Sequence, residues 1–231
     1  MKIALLGYGK MGKMVETAAQ SRGHTIVARI NSSDWNVHAL NSPDICIDFT
    51  LPESALDNLR RMISLKIPVV IGTTGWYDHL EEIKALVERQ QSAVLYGPNF
   101  SVGVHIWMQT LAEASRLVNA FESYDASAIE QHHAQKLDSP SGTALEMARI
   151  VEKRIDRLQQ LPISSVRCGF IPGTHTLTLD SPCDSISITH TARNREGFAD
   201  GAIMAAEWLL GKRGLYSFSD CMQEMILKRS T

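Results

Sequence analysis

Residues 130–143 concentrate groups that can exchange protons and bind anions; they read Glu-Gln-His-His-Ala-Gln-Lys-Leu-Asp-Ser-Pro-Ser-Gly-Thr. Imidazole and ammonium groups together can supply a proton donor and an electrostatic clamp, and here His132 and His133 are followed by Lys136. We expect a strand to end near His132 and to pass into a loop that lets both imidazoles and Lys136 converge. A solvated loop before a well-capped helix is the structural alternative.

A helix is predicted directly after this segment, over residues 142–158. Thr143 and Glu146 have the spacing of a capping box at its start. Ser141, Gly142 and Thr143 would then present N–H and hydroxyl donors to an anion such as a carboxylate. The segment therefore predicts a binding site for a small acid beside proton-donating groups.

A second candidate site lies at the start of the chain, where GYGKMG matches G-x-G-x-x-G directly after the apolar run 3–6. In this pattern the first Gly makes a tight turn, the second lets a pyrophosphate approach, and the third allows close helix–strand packing. The helix N-terminus adds free N–H groups and a partial positive charge. The motif favours dinucleotide binding over an ordinary glycine-rich turn. The candidate cofactor contacts are Gly7, Tyr8, Gly9, Lys10, Met11 and Gly12.

The end of the second predicted strand, residues 25–30, bears on which nicotinamide cofactor binds. Sites for NAD place an acid there to bind the ribose 2′-OH, whereas this chain has Arg29 in the strand and Asn31 after it. We therefore expect NADPH to be accepted. A preference for NADPH over NADH stays open, because Asn31 could bond the 2′-OH of either cofactor while Arg29 only ends the strand.

Two further polar loops follow predicted strands, one after IPVV and one after SAVLY. In open α/β sheets, ligands bind at the carboxyl ends of the strands. Two such loops beside the glycine motif at residues 7–12, which we call the phosphate loop, therefore predict a nicotinamide pocket. The residues concerned are Gly72, Thr73, Thr74, Pro98, Asn99 and Phe100.

The predicted elements change character along the chain. Short buried strands are predicted at residues 3–6, 25–30, 44–49, 67–72 and 92–96, with helices near 52–65 and 77–91. This alternation indicates βαβ units and a parallel sheet. After a helix near 103–121, strand-like stretches at 123–131, 164–170, 174–180 and 184–192 indicate an antiparallel or mixed sheet. Two helices near 197–210 and 217–228 close the chain. The predicted fold is α/β, a Rossmann-type parallel sheet plus an α+β C-terminal domain with a mixed sheet.

Composition excludes several classes of protein. The 231 residues include 23 Lys+Arg against 25 Asp+Glu, so no basic excess favours nucleic-acid binding. The four cysteines are far apart and form no CxxC pair, which argues against a zinc ribbon or a disulfide scaffold, and we expect no metal site. No apolar run approaches the roughly 20 residues of a membrane span, and the N-terminus lacks a signal-peptide pattern. We expect a soluble, cytoplasmic protein.

Several segments together resemble the dihydrodipicolinate reductase family: GYGKMG, GTTG, PNFSVGV, EQHHAQKLDSPSGTAL and TARNREGFADGAIMAAEWL. Their order and spacing cover most of the chain, and HHxxKxDxPSGTA is highly specific. The resemblance implies an oxidoreductase of lysine and diaminopimelate biosynthesis. It implies NAD(P)H-dependent reduction of 4-hydroxy-tetrahydrodipicolinate, a small dicarboxylate, to tetrahydrodipicolinate by a homotetramer.

The resemblance also implies roles for individual residues. His132 matches the proton donor/acceptor position and Lys136 the proton donor, and which of them gives the proton stays open. Whether the substrate binds hydrated or dehydrated also stays open. The substrate-carboxylate site matches His133, Ser141, Gly142 and Thr143, and Arg195 matches a position near the cofactor.

The family's fold implies a dinucleotide-binding domain over 1–103, completed by 196–231, and a substrate-binding and oligomerisation domain over 104–195. The chain departs from the family at two points: Lys10 stands where many members have Arg, and Asn31 replaces the usual acid. The alternatives are another Rossmann-fold NAD(P)-dependent dehydrogenase and a non-enzymatic NAD(P)-binding redox sensor. The segment HHxxK…PSGT speaks against both.

Overall fold

The computed structural model describes residues 1–31 and 35–229. By its internal contacts the chain divides into two compact units. The first unit comprises Met1–Val102 and Glu196–Thr231, and the second comprises Gly103–Arg195.

Ten strands and seven α-helices lie in the described part of the chain. The strands are β1 (Lys2–Leu6), β2 (Thr25–Ile30), β3 (Ile45–Asp48), β4 (Val69–Ile71), β5 (Ala93–Tyr96), β6 (Asp125–His132), β7 (Ile163–Arg167), β8 (Thr174–Asp180), β9 (Ser185–Thr191) and β10 (Gly214–Ser217). The helices are α1 (Lys10–Ser21), α2 (Pro52–Ser64), α3 (Leu80–Gln90), α4 (Val102–Val118), α5 (Gly142–Glu152), α6 (Glu196–Leu209) and α7 (Phe218–Arg229). Short 3₁₀ helices cover Val37–Leu40 and Tyr77–His79.

The first unit is built on a six-stranded parallel sheet in the order β2-β1-β3-β4-β5-β10. Helices α1, α6 and α7 contribute to the core on one face, and α2 and α3 contribute to the core on the other. Because both faces are covered, β3 and β4 are buried along their whole length, which explains their continuous apolar runs. The predicted Rossmann-type sheet is confirmed.

Strand β10 is absent from the elements that the sequence predicts. It pairs in parallel with β5, from Gly214 opposite Ala93 to Ser217 opposite Tyr96, and forms one edge of the sheet. Only four residues long, it contains Gly and Ser, which have low strand propensity, and it lies between two clear helical patterns. A pattern based on periodicity therefore assigns these residues to a connection between helices.

The second unit is a four-stranded sheet in the order β7-β6-β8-β9. Strands β6 and β7 are parallel and the other pairs are antiparallel, so the predicted mixed sheet is confirmed. Residues of α4 and α5 join those of the sheet in one apolar core that includes Leu111, Met147 and Leu177. Along β6 buried and exposed residues alternate, as expected for a sheet with one covered face.

Helix α5 is shorter than the predicted 142–158 and ends at Glu152. Ile155 and Leu158 keep the apolar spacing beyond that point, because both pack against the core from a turn. None of the helices among the described residues is long and apolar enough to span a membrane.

Candidate functional site

The three glycine-containing loops that the sequence singles out lie at the carboxyl edge of the parallel sheet. The first amide of each loop donates to a carbonyl at the end of a neighbouring strand: Gly7 N to Ile30 O (2.8 Å), Gly72 N to Asp48 O (2.9 Å) and Gly97 N to Ile71 O (3.2 Å). The loop after β3 does the same, since Phe49 N donates to Leu6 O (2.8 Å). From β1 the chain continues to β2 on one side of the sheet, and from β3 it continues through β4 and β5 on the other side. Open α/β sheets bind ligands at such a switch point, here between β1 and β3.

The phosphate loop has the close contacts that its glycines permit. Gly7 has a φ of 83°, and a Cβ there would overlap the backbone of Phe49. A Cβ on Gly12 would overlap the carbonyl oxygen of Gly7, so this glycine lets α1 approach the loop. Among the described residues, a Cβ on Gly9 would meet no atom within 4 Å. The space beside Gly9 could therefore admit a pyrophosphate close to the backbone.

The start of α1 is also suited to a phosphate group. The first amides of a helix have no acceptor inside the helix, and Gly9, its N-cap, makes no side-chain cap bond. Lys10, the first residue of α1, is exposed, Tyr8 and Met11 are half-buried, and Gly12 is buried. These residues could hold the diphosphate of a dinucleotide.

Arg29 is held by an acid inside the same unit. Its Nε donates to Glu16 Oε2 (3.0 Å), its Nη2 pairs with Glu16 Oε1, and the Tyr8 hydroxyl donates to the same carboxylate. Hydrogen bonding from Arg29 lowers the pKa of Glu16, although burial opposes this shift. Arg29 therefore shares its charge with Glu16. Asn31 is exposed after β2, whereas Ser32 and Ser33, the hydroxyls next to it, lie outside the described residues.

A buried polar cluster supports the loops after β3 and β4, and the sequence did not point to it. Asp48 Oδ1 accepts from the amide (2.8 Å) and hydroxyl (2.6 Å) of Thr50, and Oδ2 accepts from Asn58 Nδ2 (3.0 Å). Thr73 Oγ1 donates to the carbonyl of Thr50 (2.9 Å). Burial raises the pKa of Asp48, and these hydrogen bonds oppose the shift. A signal was present: an acid ends β3 at the edge where ligands bind.

The remaining predicted cofactor residues differ in what they expose. Thr74 and Pro98 are exposed, and Asn99 Oδ1 accepts from the amide of Ser101 (2.8 Å). Phe100 is buried in the core beside the rings of Phe49 and Phe218. Its side chain therefore belongs to the core.

In the second unit, β6 ends at His132, as predicted, and brings Glu130 and His132 to its buried face. Across the sheet, Glu130 lies opposite His175 of β8 and Ser165 of β7, and His132 lies opposite Arg167. These side chains meet because residues two apart on a strand share a face and paired strands place partners side by side. His133 is half-exposed.

Glu130, which is fully buried, connects these groups. Its Oε1 accepts from Ser141 N (3.0 Å), Ser165 Oγ (2.7 Å) and Arg167 Nη2 (2.8 Å). Its Oε2 lies 3.3 Å from His132 Nδ1 and 3.7 Å from His175 Nε2. Burial raises the pKa of Glu130, but the hydrogen bonds from Ser141, Arg167 and Ser165 outweigh it and lower the pKa to about 2. The group is therefore a carboxylate at neutral pH.

The two buried imidazoles are neutral at pH 7. Burial lowers the pKa of His132, which the charge of Glu130 partly offsets. Burial and the neighbouring His132 lower the pKa of His175 to about 4. The donor atoms of Glu130, His132 and His175 lie within 4.8 Å of one another, a spacing that a metal ion could use. Because Arg167 already neutralises the carboxylate, we interpret the set as part of a polar cluster centred on Glu130.

Helix α5 begins at this cluster, at the turn that the sequence predicts to bind an anion. Its N-cap is Ser141, whose Oγ accepts from Ala144 N (3.2 Å). The predicted capping box of Thr143 and Glu146 is wrong, since Glu146 pairs with Arg149 (2.8 Å). Gly142 is exposed and Thr143 half-exposed, so the start of the helix can be reached from solvent.

Two predicted residues lie apart from the polar cluster centred on Glu130. Lys136 Nζ bonds to both oxygens of Asp138 (2.7 and 2.9 Å), and its charge helps to lower the pKa of His132. Lys136 therefore acts on His132 through its charge, while its ammonium group bonds to Asp138. Arg195 is exposed between β9 and α6.

Comparisons with known proteins agree along most of the chain. Residues 1–100 match the family described as "Dihydrodipicolinate reductase, N-terminus", and residues 103–222 match "Dihydrodipicolinate reductase, C-terminus". A relative from Christiangramia forsetii, named 4-hydroxy-tetrahydrodipicolinate reductase, is 38% identical and covers 97% of this chain and 99% of its own length. A relative of the same name from Neisseria meningitidis serogroup C is 31% identical, covering 96% and 97%.

A solved structure shows the same fold. Dipicolinate-bound dihydrodipicolinate reductase from Paenisporosarcina sp. TG-14 superposes with a TM-score of 0.81 at 22% identity, covering 95% of this chain and 98% of that one. The match of both halves to one family and the 38% identity over nearly the full length agree with the glycine loops and the His-Lys segment. The chain is a member of the dihydrodipicolinate reductase family, whose enzymes are nicotinamide-dependent oxidoreductases.

Proposed function

We propose that the chain reduces 4-hydroxy-tetrahydrodipicolinate to tetrahydrodipicolinate with NAD(P)H, in lysine and diaminopimelate biosynthesis. The observation that carries the proposal is the carboxylate of Glu130, which bonds to the amide of Ser141 and approaches His132. One buried group thereby joins a proton-exchanging imidazole to an anion-binding turn. The relatives named for this reaction support the same substrate.

The first unit binds the cofactor. The loop Gly7–Gly12 and the start of α1 hold the diphosphate, and the loops that begin at Gly72 and Gly97 flank the nicotinamide end. Arg195 is a further candidate contact. A bound nicotinamide supplies the hydride. Glycine at position 12 and the buried Asp48–Thr50–Thr73 cluster fix the shape of this edge before the cofactor arrives.

The second unit binds the dicarboxylate and supplies the proton. The first amides of α5, at Gly142 and Thr143, bind one carboxylate together with the imidazole of His133. The net reaction adds a hydride and a proton and releases water. Since burial keeps His132 neutral, the ammonium group of Lys136 is the better donor, and His132 orients or relays the proton. The ion pair with Asp138 is partly exposed and is worth at most about 1 kcal/mol, so substrate can displace it.

A coupled assay tests the proposed reaction. The substrate is made in place from aspartate semialdehyde and pyruvate by the upstream synthase, and oxidation of NADPH or NADH is followed by absorbance. We expect oxidation that depends on both the synthase and this chain. Cofactor binding without oxidation would favour a redox sensor, and oxidation that depends on another amino acid or oxo acid would favour a different dehydrogenase.

We also propose that NADPH and NADH are both used, with NADPH accepted because Asn31 leaves no acid for its 2′-phosphate to meet. Glu16 reduces the attraction of Arg29 for that phosphate, so the two kcat/KM values should lie within about tenfold, or 1.4 kcal/mol. Asn31→Asp should shift the ratio towards NADH by about tenfold, since a carboxylate binds the 2′-OH and repels the phosphate. An unchanged ratio in Asn31→Asp would remove position 31 from cofactor selection.

We propose that the chain forms a homotetramer. The face of the second sheet that α4 and α5 leave uncovered supports this proposal. Ile129 and Val166 are exposed there, and Ile129 lies opposite Thr176 of β8. In light scattering the native chain should have about four times the mass of one 25.6 kDa chain. Ile129→Lys should lower that mass, whereas Leu117→Lys, at an exposed site of α4, should not. A native mass of one chain would exclude the tetramer.

We place the enzyme in the cytoplasm. All four cysteines lie among the described residues and are free thiols, and Cys168 and Cys183 are exposed. Exposed thiols of this kind persist in a reducing compartment.

A further inference from the structure

Several buried polar atoms of the second unit lack a hydrogen-bond partner among the described residues, and two of them lie beside each other. These are Glu130 Oε2 and His132 Nδ1, 3.3 Å apart. Both side chains are nearly inaccessible to solvent. An unmade hydrogen bond at such a site is unfavourable, because each group has lost its bonds to water. The economical arrangement has His132 protonated at Nδ1 and donating to the carboxylate.

The second imidazole has a nearer partner than this carboxylate. Ser141 Oγ accepts from Ala144 N and lies 3.2 Å from His175 Nε2, and either atom of that second pair could be the donor. Glu130 Oε2 lies farther from His175 Nε2, at 3.7 Å, whereas His132 Nδ1 is 3.3 Å from the same oxygen. His132 is therefore the better-placed donor to Oε2.

We propose that Glu130 is a positioning residue for the reduction: its carboxylate holds His132 as the Nδ1-protonated tautomer and, through Ser141, fixes the anion-binding turn against the same imidazole. The inference rests on the role of His132 in the proposed function. His132 Nε2 is left to exchange protons, and Gly173 gives that edge space, because a Cβ on residue 173 would lie 3.2 Å from Nε2. Carboxylate partners of imidazoles set tautomer and orientation in the same way in other enzymes.

The two oxygens of Glu130 have different partners. Oε1 is occupied by Ser141 N, Ser165 Oγ and Arg167 Nη2, which fix the carboxylate plane and keep it ionised. Oε2 is left for His132. A glutamine at this position could still accept from Ser141 with its carbonyl, but its amide would face Nδ1 with a donor. The tautomer of His132 would then invert while the anion-binding turn stayed in place.

Nuclear magnetic resonance on the full native chain tests the tautomer without any variant at Glu130. Histidine is labelled with ¹⁵N, and long-range proton–nitrogen correlations identify which ring nitrogen carries the proton; His132→Gln assigns the signal. We expect His132 protonated at Nδ1 at neutral pH. An active enzyme in which His132 is protonated at Nε2 would overturn the proposal and leave the proposed reaction standing. An inactive enzyme with the Nδ1 tautomer would contradict the proposed reaction and leave the assigned tautomer standing.

Kinetics of Glu130→Gln supply a second readout. We expect kcat to fall about 100-fold with a KM change of only a few-fold, because the acceptor for Ser141 remains. The charged groups around His132 are Glu130, Arg167, Lys136 and Asp138, with His175 neutral beside it. Loss of the negative charge disfavours the imidazolium, so the limb of the pH–rate profile due to His132 should move to lower pH.

A control and a rescue keep the kinetic test decisive. Glu152→Gln is the matched control, since Glu152 is half-buried in the same unit and its Oε1 accepts from Leu161 N (2.9 Å). It should leave kcat, the pH profile and the His132 tautomer unchanged. If Glu130→Gln fails to fold because Arg167 loses its partner, Glu130→Gln with Arg167→Met removes both charges. A folded double variant with native kcat and the Nδ1 tautomer would contradict the proposal.

Discussion

Lys136→Ala should lower kcat by about 10²–10⁴-fold while NADPH binds with its native Kd. The reason is that in the proposed mechanism Lys136 supplies the proton in the second unit, whereas the first unit holds the cofactor. Among the described residues the side chain bonds only to Asp138, through a partly exposed ion pair, so the free energy of unfolding should change by less than about 1 kcal/mol. Steady-state kinetics, fluorescence titration with NADPH and urea unfolding measure the three quantities.

Two further variants separate the roles of Lys136. Lys136→Arg keeps the positive charge but is a poor proton donor, so KM for the dicarboxylate should recover more than kcat. Lys84→Ala, at an exposed position of α3, is the control for loss of a lysine and should behave as the native chain. Native turnover by Lys136→Ala would remove this residue from the chemistry.

Gly12→Ala should weaken NADPH binding by at least about tenfold and lower the free energy of unfolding by about 1–3 kcal/mol. A Cβ at position 12 would overlap the carbonyl oxygen of Gly7, so α1 and the phosphate loop must separate. The amides that the start of α1 offers to a diphosphate then move from their positions. Titration with NADPH and urea unfolding measure both effects.

A pair of glycine variants distinguishes a local distortion from a direct obstruction. Among the described residues, a Cβ on Gly9 meets nothing within 4 Å, so Gly9→Ala should unfold like the native chain and still bind NADPH more weakly. Gly197→Ala, at an exposed position of α6, should leave the Kd for NADPH unchanged. A native Kd for Gly12→Ala would show that the close contact with Gly7 is dispensable for cofactor binding.

Local patterns in the sequence predicted the features that depend on local physics. The glycine spacing after β1 predicted the phosphate loop, since only glycine fits the φ of Gly7 and the contact at Gly12. The strand-like pattern over 123–131 predicted β6, and the strand ends at His132, close to where its end was expected. Both patterns arise within a dozen residues and need no knowledge of distant partners.

The groups around His132 could not be predicted from such patterns. His175 and Arg167 reach the site because β8 and β7 pair with β6 in one register, and register depends on the whole sheet. The predicted capping box failed for a similar reason: Ser141 is fixed from outside the helix, by the carboxylate of Glu130 and by His175. Strand β10 has no periodicity of its own and depends on its pairing with β5.

Transfer of an isotope is the most direct test of the proposed reduction. The native chain is given NADPH deuterated on C4 and substrate generated by the upstream synthase, and the product is analysed by mass spectrometry. Tetrahydrodipicolinate should be heavier than the product made with unlabelled NADPH by the difference between deuterium and hydrogen. A product without deuterium from either face of the labelled cofactor, or no tetrahydrodipicolinate at all, would contradict the proposed function.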